Sequence, residues 1–177
     1  MTRNSSQETA PQSCYRNANS RDALQVAQIR IKKLSREAVC PSRGTRSAAG
    51  YDLASCEFCE VPAHGRALVH TGIGVEIPDG FHIEIRPRSG LALRHGITVL
   101  NTPGTIDSDY RGELMIILFN TTDENFSVHP GDRIAQAVVM RHSDAEWIET
   151  EAFSESDRGE KGFGSTGISF DSNTKHS

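Results

Sequence analysis

Short apolar segments that alternate with turn residues run through most of the sequence and constrain its fold more than any other feature. Residues 73–77 (IGVEI) and 81–85 (FHIEI) alternate apolar and other side chains, as half-buried strands do. Pro78, Asp79 and Gly80 lie between them and favour a tight turn, so we predict a β-hairpin there. Because no stretch has a long helical period, the pattern predicts an all-β sandwich or barrel. The other predicted strands are residues 26–31, 67–70, 97–99, 114–119, 126–128 and 134–140.

One short helix is predicted at residues 89–96 (SGLALRHG). Ser89 is a typical capping residue and Gly96 a typical stop, so they are expected to bound it. The N-terminus of a helix presents unpaired N–H groups and the positive end of the helix dipole, which attract anions. Arg86 and Arg88 precede this helix and add positive charge. The segment therefore predicts phosphate binding, although an ordinary helix cap with solvated arginines accounts for the same residues.

Residues 100–113 (LNTPGTIDSDYRGE) join two predicted strands and combine turn residues with polar side chains. The second of these strands, residues 114–119 (LMIILF), is apolar enough to be buried on both faces. A loop held between strands is where a rigid scaffold often presents functional groups. The amide of Asn101, the carboxylate of Asp107 and the ring of Tyr110 are suited to reading a small polar ligand. From spacing alone, a polar hairpin with solvated aspartates is favoured over a ligand-binding loop.

The length and charge of the chain restrict its class. Its 177 residues suit one domain with a substantial core, and its net charge of −4 argues against a nucleic-acid-binding groove. Residues 1–23 are polar and have no apolar centre, so we predict a disordered extension rather than a signal peptide or a membrane span. The β domain is predicted at residues 24–148. Residues 149–177 are predicted to form a flexible arm that is acidic at first and then rich in glycine.

The cysteines favour structural thiols. Cys56 and Cys59 form a C-x-x-C pair, but no second pair of cysteines or histidines follows at metal-ligand spacing, which argues against zinc. A chain of this length needs no disulfide framework. Together with Cys14 and Cys40, these residues are predicted to be reduced thiols, so a cytoplasmic location is expected.

The glycine-rich residues 162–167 (GFGSTG) match the G-x-G-x-x-G pattern of dinucleotide-binding proteins. That fingerprint must follow a strand and open a helix within a βαβ unit, and this chain ends ten residues later without one. Composition alone favours a disordered tail. Phe163 and Arg158 are unusual in such a tail, however, and favour an arm that becomes ordered over a ligand.

Five segments, taken together, resemble the motifs of the trimeric dUTP diphosphatases (dUTPases) and occur in the order of that family. A single motif is weak evidence, whereas five in order over roughly residues 29–167 are highly specific, so the chain is identified as a member of the family. The segments are residues 49–53 (AGYDL), 87–92 (PRSGLA), 101–114 (NTPGTIDSDYRGEL), 131–136 (GDRIAQ) and 158–167 (RGEKGFGSTG).

The resemblance implies an all-β, jelly-roll-like distorted barrel with one short helix. It also implies a homotrimer whose sites are shared between subunits, with no nucleic-acid or membrane partner. The implied reaction is hydrolysis of dUTP to dUMP and pyrophosphate by attack of water on the α-phosphorus, with Mg²⁺ chelating the triphosphate. This reaction keeps uracil out of DNA and supplies dUMP. Asp107 corresponds to the general base, Gln136 to a second residue holding the water, and Asp52 to a contact with Mg²⁺ through water.

The substrate contacts are also carried over from the resemblance. Asn101 is expected to pair with uracil, and Tyr110 is expected to lie under the sugar and exclude a 2′-hydroxyl. Arg88, Ser89 and Gly90 correspond to phosphate contacts. Residues 102–105 (TPGT) differ from the Gly-Ala-Gly-Val of many relatives and resemble a variant that is common among bacterial members. The remaining expected contacts are Gly104, Thr105, Ile106, Arg158, Phe163, Gly164, Ser165 and Thr166.

Two other functions are alternatives. A dCTP deaminase of the same superfamily shares the fold, but it is expected to have a glutamate where this chain has Ile117 and to lack the C-terminal arm. A nucleotide-binding regulatory module is the second alternative, and the retained acid at Asp107 argues against lost activity. A single-strand-binding barrel is disfavoured because aromatic residues make up only 6% of the chain and the net charge is negative.

Overall fold

The computed structural model describes residues 26–160. These residues divide into two units, 26–143 and 144–160, and all the regular secondary structure lies in the first. The elements are β1 (Arg30–Lys33), β2 (Gly50–Ala54), β3 (Cys59–Val61), β4 (Arg66–Glu76), β5 (Phe81–Arg86), α1 (Ser89–His95), β6 (Ile97–Val99), β7 (Gly104–Ile106), β8 (Glu113–Asn120), β9 (Phe126–Val128) and β10 (Arg133–Arg141).

The strands form two antiparallel sheets of four strands and one ribbon of two. The first sheet has the order β1-β4-β8-β6, the second has the order β2-β10-β5-β7, and β3 pairs with β9. The inner faces of the two sheets share one apolar core, to which Leu114, Ile116 and Leu118 contribute from β8. Burying each such side chain contributes about 1.5–3 kcal/mol. The predicted all-β, jelly-roll-like fold with one short helix is thus confirmed.

The predicted β-hairpin at residues 78–80 is wrong. The chain does turn there, since the N–H of Phe81 donates to the carbonyl of Pro78 at 3.2 Å and Gly80 has a φ of +79°. However, β4 pairs with β1 and β8, whereas β5 pairs with β10 and β7. The turn therefore carries the chain from one sheet to the other. Alternation of side chains defines the buried face of a strand but not its neighbours.

The two strands predicted at residues 67–70 and 73–77 are one strand, β4, with an irregularity inside it. The register of β4 against β8 shifts between His70 and Gly74. Gly72, within this bulge, has a φ of +66°, and a Cβ there would approach Ser35, Ala38 and Cys56 to about 3 Å. The bulge therefore requires glycine for its backbone conformation and for its close contacts.

Within a single chain, strand β8 is buried on one face, whereas its other face, which was also predicted to be buried, is accessible. Leu114, Ile116 and Leu118 face the core, whereas Met115 on the opposite face is 39% exposed. Leu68 of β4 lies on the same outer face and is 49% exposed. The outer face of the first sheet is consequently apolar and accessible.

The loop at residues 100–113 contains a strand that the sequence pattern did not indicate. Strands β6 and β8, which flank the loop, pair with each other in the first sheet. Between them, β7 pairs with β5 in the second sheet. The loop is therefore attached to both sheets. The residues of β7, Gly, Thr and Ile, include one large apolar side chain and directly follow the turn residues Thr102 and Pro103, so the sequence there resembles a continued turn.

Helix α1 begins differently from the prediction. Its N-cap residue is Arg88, which has extended backbone angles and makes no capping hydrogen bond through its side chain. Ser89 is the first helical residue, so its predicted role as the cap is wrong. The predicted end is confirmed, since Gly96 has a φ of +63° and its N–H donates to the carbonyl of Ala92 at 3.0 Å. At seven residues, this helix of the described chain is too short to span a membrane.

Candidate active site

A cleft of about 270 Å³ lies where the loop at residues 100–113 meets the outer face of the first sheet. Leu68, Met115 and Ile117 form an apolar wall, and polar groups of the loop complete the lining. The volume is close to the lower end of the range of about 300–1,000 Å³ for ligand pockets. The cleft therefore suits part of a nucleotide rather than a whole triphosphate. The predicted site residues that it brings together are Asn101, Thr105, Ile106, Asp107 and Tyr110.

Gly104 allows the amide of Asn101 to approach the backbone of β7. A Cβ at position 104 would lie 3.1 Å from Nδ2 of Asn101 and 3.5 Å from Cβ of Ile85. Gly104 is buried and pairs with Ile85 of β5. A Cβ at position 104 would require Nδ2 of Asn101 to shift by a few tenths of an ångström, whereas its contact with Ile85 would be an ordinary one. The glycine therefore lets the Asn101 amide lie closer to β7 than a larger residue would.

Tyr110 is folded back against Gly112 by the turn that follows β7. The N–H of Tyr110 donates to the carbonyl of Asp107 at 3.2 Å, and the Tyr110 hydroxyl donates to the carbonyl of Glu113 at 2.9 Å. A Cβ at position 112 would lie only 2.3 Å from the hydroxyl oxygen of Tyr110. Arg111 donates to the carbonyls of Ser108 and Tyr110 and ties the same turn together. The ring of Tyr110 thus has a defined place beside the exposed carboxylate of Asp107.

A second cluster of predicted site residues lies in the second sheet, near the start of α1. The carboxylate of Asp52 accepts from Nε of Arg88 at 2.9 Å and from a terminal nitrogen of Arg133 at 3.0 Å. Arg88 also donates to the carbonyl of Arg133 at 3.0 Å. Only 18% of the Asp52 side chain is exposed, so this ion pair is partly shielded from solvent. Asp52 therefore orients two guanidinium groups at one edge of the domain.

Gln136 belongs to the same cluster. It pairs with Asp52 across β2 and β10, and its side-chain amide donates to the carbonyl of Pro87 at 2.9 Å. A Cβ at position 50 would lie 2.1 Å from Oε1 of Gln136, so Gly50 leaves the space that the glutamine occupies.

Ser89 and Gly90 are the first residues of α1 and lie beside this cluster. Part of the positive charge near them comes from the side chain of Arg94, which is on the same helix. A Cβ at position 90 would lie 2.8 Å from a guanidinium nitrogen of Arg94. Arg86 contributes less than its sequence position suggests, because its Nε donates to Glu84 at 2.8 Å. That hydrogen bond from Arg86 lowers the pKa of the Glu84 carboxyl.

The second cluster, formed by Asp52, Arg88, Arg133 and Gln136, is called the arginine cluster. Within one chain it is separate from the cleft. Gln136 pairs with Arg86 of β5, whereas Ile106 pairs with Ile83, three residues along the same strand. Those three residues span about 10 Å, and the strands on either side of β5 lie about 10 Å apart. Asp107 continues in the direction away from Gln136. The carboxylate of Asp107 and the amide of Gln136 therefore cannot contact one water molecule in a single chain.

The remaining predicted site residues lie in the C-terminal part of the chain. Arg158 belongs to the second unit and is exposed. Phe163, Gly164, Ser165 and Thr166 lie outside the described residues, as do residues 1–23.

Several residues in the two clusters were not among those predicted from the sequence. Leu68, Met115 and Ile117 line the cleft because alternate residues of β4 and β8 face outward. Arg133 shares the carboxylate of Asp52. The pairing of β4 with β8 would have revealed the apolar wall, but pairing between distant strands cannot be read from a single sequence.

Comparisons with known proteins place this all-β chain in a family of enzymes. A family model described as dUTPase matches residues 36–167. The deoxyuridine 5′-triphosphate nucleotidohydrolase of Wolinella succinogenes is 56% identical over 146 residues, which cover 82% of this chain and 98% of that protein. The protein of the same name from Helicobacter hepaticus is 54% identical over 140 residues, covering 79% of this chain and 89% of that protein.

Solved structures agree with the sequence comparison. The dUTPase of Staphylococcus bacteriophage 80alpha, solved with dUPNHPP, has a TM-score of 0.74 and 30% identity. The match covers 80% of this chain and 99% of that one. This chain belongs to the dUTPase family.

Proposed function

We propose that this protein hydrolyses dUTP to dUMP and pyrophosphate, and so keeps uracil out of DNA while supplying dUMP. The proposal is carried by the cleft that joins Asn101, Asp107 and Tyr110, in a chain that belongs to the dUTPase family. An amide that both donates and accepts is suited to the edge of a uracil ring. An exposed carboxylate beside it is suited to orienting a water molecule and accepting its proton.

Asp107 acts in this proposal as the general base that directs water at the α-phosphorus. The carboxylate follows β7, so its backbone is held to the second sheet by the pairing of Ile106 with Ile83. Gln136 is the second group that holds the water. In phosphoryl transfer the protein contributes mainly positioning and neutralisation of charge, so a fixed backbone at Asp107 is an advantage.

Arg88, Ser89 and Gly90 bind the phosphate oxygens in this proposal. The guanidinium of Arg88 is oriented by Asp52, which leaves its remaining N–H groups for an anion. Arg94 over Gly90 and Arg133 beside Asp52 add positive charge to the same edge. Arg158 of the arm, with Phe163, Gly164, Ser165 and Thr166, would close over the bound nucleotide.

Magnesium fits this site as an ion that arrives with the triphosphate. Both carboxylate oxygens of Asp52 already accept from arginines, so direct ligation by Asp52 does not fit and a contact through water does. Within residues 26–160 there is no group of three His, Cys, Asp or Glu side chains placed to hold a metal ion. Mg²⁺ commonly takes substrate phosphates and waters as ligands, and its charge would offset that of the triphosphate.

The complete site is proposed to form between subunits of a homotrimer. Asp107 and the cluster of Asp52, Arg88 and Gln136 are too far apart in one chain to act on one nucleotide. We therefore expect Asp107 of one subunit to lie beside this cluster of a neighbouring subunit. The apolar outer face with Leu68 and Met115 is accessible in a single chain and offers contact area for such assembly. The arm at residues 149–177 would then reach a site on a neighbour.

The β domain at residues 24–148, the extension at residues 1–23 and the cytoplasmic location belong to the same proposal. Cys56 and Cys59 are free thiols, and burial followed by nearby carboxylates raises the pKa of both. Thiols of this kind are unreactive and suit a structural role.

A direct assay tests the function. The full chain is incubated with Mg²⁺ and, separately, with dUTP, dCTP, dTTP and UTP, and both pyrophosphate and ammonia are measured. We expect pyrophosphate from dUTP and at least ~10⁴-fold less from an analogue that cannot pair with the buried polar groups. Ammonia from dCTP would instead identify the deaminase, and binding without turnover would identify the regulatory module.

The deaminase is disfavoured by the groups that line the cleft. Ile117 occupies the position at which a catalytic glutamate is expected. Glu113 also lines the cleft, but its two carboxylate oxygens accept from His70 and from the N–H of Gly72. The hydrogen bonds that Glu113 accepts outweigh burial and lower the pKa of its carboxyl, which makes it a weaker base for activating water.

The position of Tyr110 provides a test of the sugar gate. In Gly112→Ala the new methyl group would overlap the Tyr110 hydroxyl, so the ring must leave its place. We expect the preference for dUTP over UTP, measured as a ratio of kcat/KM, to fall by ~10-fold or more, as it should in Tyr110→Ala. Gly44→Ala is the matched control, because a Cβ there meets nothing within 4 Å. A Tyr110→Ala enzyme that still refuses UTP would rule out this gate.

A further inference from the structure

We infer that Glu113 is a positioning residue for the sugar side of the cleft, acting through its own carbonyl, which receives the Tyr110 hydroxyl. The inference rests on the proposed dUTP hydrolysis, because it concerns how the cleft distinguishes a deoxyribose from a ribose. Glu113 is the first residue of β8 and lines the cleft with Tyr110 and Asp107. The hydrogen bond from Tyr110 to its carbonyl is 2.9 Å long.

The carboxylate of Glu113 holds that carbonyl in place by binding the neighbouring strand. Its Oε1 accepts from the N–H of Gly72 at 2.7 Å, and its Oε2 accepts from Nδ1 of His70 at 2.9 Å. Only 21% of the Glu113 side chain is exposed. Both oxygens are therefore used, and the side chain is locked at the point where the loop joins the sheet.

The bulge in β4 explains why a carboxylate is needed there. Gly74 pairs with Glu113 and His70 pairs with Met115, so the residues between them are not in regular register with β8. Thr71 within the bulge donates its hydroxyl to the carbonyl of Leu114 at 2.6 Å. The N–H of Gly72 obtains its acceptor from the side chain of Glu113 instead of from a backbone carbonyl. Loss of this acceptor frees the end of β8 that carries the Tyr110 contact.

His70 makes the arrangement sensitive to charge. The hydrogen bond with Glu113 raises the pKa of His70, and the carboxylate of Glu57, which accepts from the backbone N–H of His70 at 3.1 Å, acts in the same direction. Burial opposes ionisation of Glu113, but the hydrogen bonds from His70 and Gly72 lower its pKa overall. The titratable groups around His70 are Glu113 on β8, and Glu57 and Cys56 after β2.

Glu113→Ala is the first test, with dUTP and UTP as substrates of the full chain. Removing both carboxylate oxygens should loosen the start of β8 and so weaken the hydrogen bond from the Tyr110 hydroxyl to the backbone carbonyl of residue 113. We expect the preference for dUTP over UTP to fall by ~10-fold, with KM for dUTP raised and kcat changed by less than ~3-fold. Glu76→Ala is the control. Glu76 lies on β4, the strand that also carries His70 and Gly72, and its exposed carboxylate pairs with Arg30 of β1 at 3.3 Å.

Glu113→Gln supplies a pH signature that general destabilisation does not produce. The variant side chain has one amide oxygen, and when this oxygen accepts from the N–H of Gly72, the NH₂ group faces His70. His70 must then be neutral, so that its Nδ1 can accept a hydrogen bond from the NH₂ group. At a pH where His70 is neutral, the ratio of the KM of Glu113→Gln to the KM of the parent should be near one. It should rise several-fold as the pH falls through the ordinary histidine range of about 6–7. The parent carboxylate accepts from both neutral and charged His70.

The outcomes separate this inference from the proposed function. A parent enzyme that does not hydrolyse dUTP overturns both. A parent that hydrolyses dUTP, with a Glu113→Ala variant that keeps the parental KM and preference, overturns the inference alone. An equal loss of kcat on both nucleotides with unchanged preference also overturns it. If Glu113→Ala does not fold, a pH-independent KM ratio in Glu113→Gln overturns it.

Discussion

Asp107→Asn is expected to lower kcat for dUTP by ~10²–10⁴-fold, because the amide cannot accept a proton from the attacking water. The side chain keeps its size and its place at the end of β7, so substrate binding should change little. KM is therefore expected to stay within ~3-fold of the parent value. Steady-state pyrophosphate release and the Kd for a non-hydrolysable dUTP analogue measure the two effects separately.

Asp109→Asn is the matched control for this variant. Asp109 lies in the same loop two residues away and is exposed, but it does not line the cleft. Its amide variant removes the same charge from the same turn and should keep parental turnover. An Asp107→Asn enzyme as fast as its parent would exclude Asp107 as the base, and an equally slow Asp109→Asn enzyme would point to the charge of the loop instead.

Two inactive variants should restore activity to one another when they are assembled together. Asp107→Asn removes the base from the cleft, and Arg88→Ala removes the phosphate contact from the arginine cluster. If each site takes Asp107 from one subunit and Arg88 from another, mixed trimers contain some sites with both residues intact. Random mixing in equal amounts should yield about one quarter of the parental activity. The variants are co-refolded or co-expressed, and dUTP hydrolysis is measured per protomer.

The control for this experiment mixes Arg88→Ala with Gln136→Ala. Both residues lie in the arginine cluster of one chain, where Gln136 donates to the carbonyl of Pro87. Mixed trimers of these two variants contain no site with both residues intact, so their activity should stay at the level of the separate variants. Failure of the first mixture to recover activity, with mixed trimers verified by mass, would mean that each site lies within one chain.

The sequence predicted the strands that alternate clearly and missed what depends on distant pairing. The segments 126–128 and 134–140 lie within β9 and β10 almost as predicted. The hairpin at residues 78–80 was wrong because two adjacent alternating strands normally pair, whereas here the turn crosses between sheets. Strand β7 was missed because its sequence, Gly-Thr-Ile, has one large apolar residue and continues a run of turn residues, although its pairing with β5 fixes the backbone before Asp107.

The candidate site was predictable in its residues but not in its geometry. Motif order identified Asn101, Asp107 and Tyr110, which line one cleft. It did not indicate that Arg88 lies in a separate cluster, since motif order contains no distances. The sequence also misplaced the cap of α1, because Arg88 takes the extended conformation that Ser89 was expected to adopt.

The attachment of the loop at residues 100–113 to both sheets has an evolutionary consequence under the proposed function. Strands β6 and β8 hold its ends in the first sheet, and β7 holds its middle in the second. A substitution in the apolar core that changes the spacing of the sheets would therefore reach Asn101, Asp107 and Tyr110, which line the cleft. Under the proposed function, selection for a more heat-resistant molecule and selection for a stricter choice of base and sugar would act on the same backbone contacts.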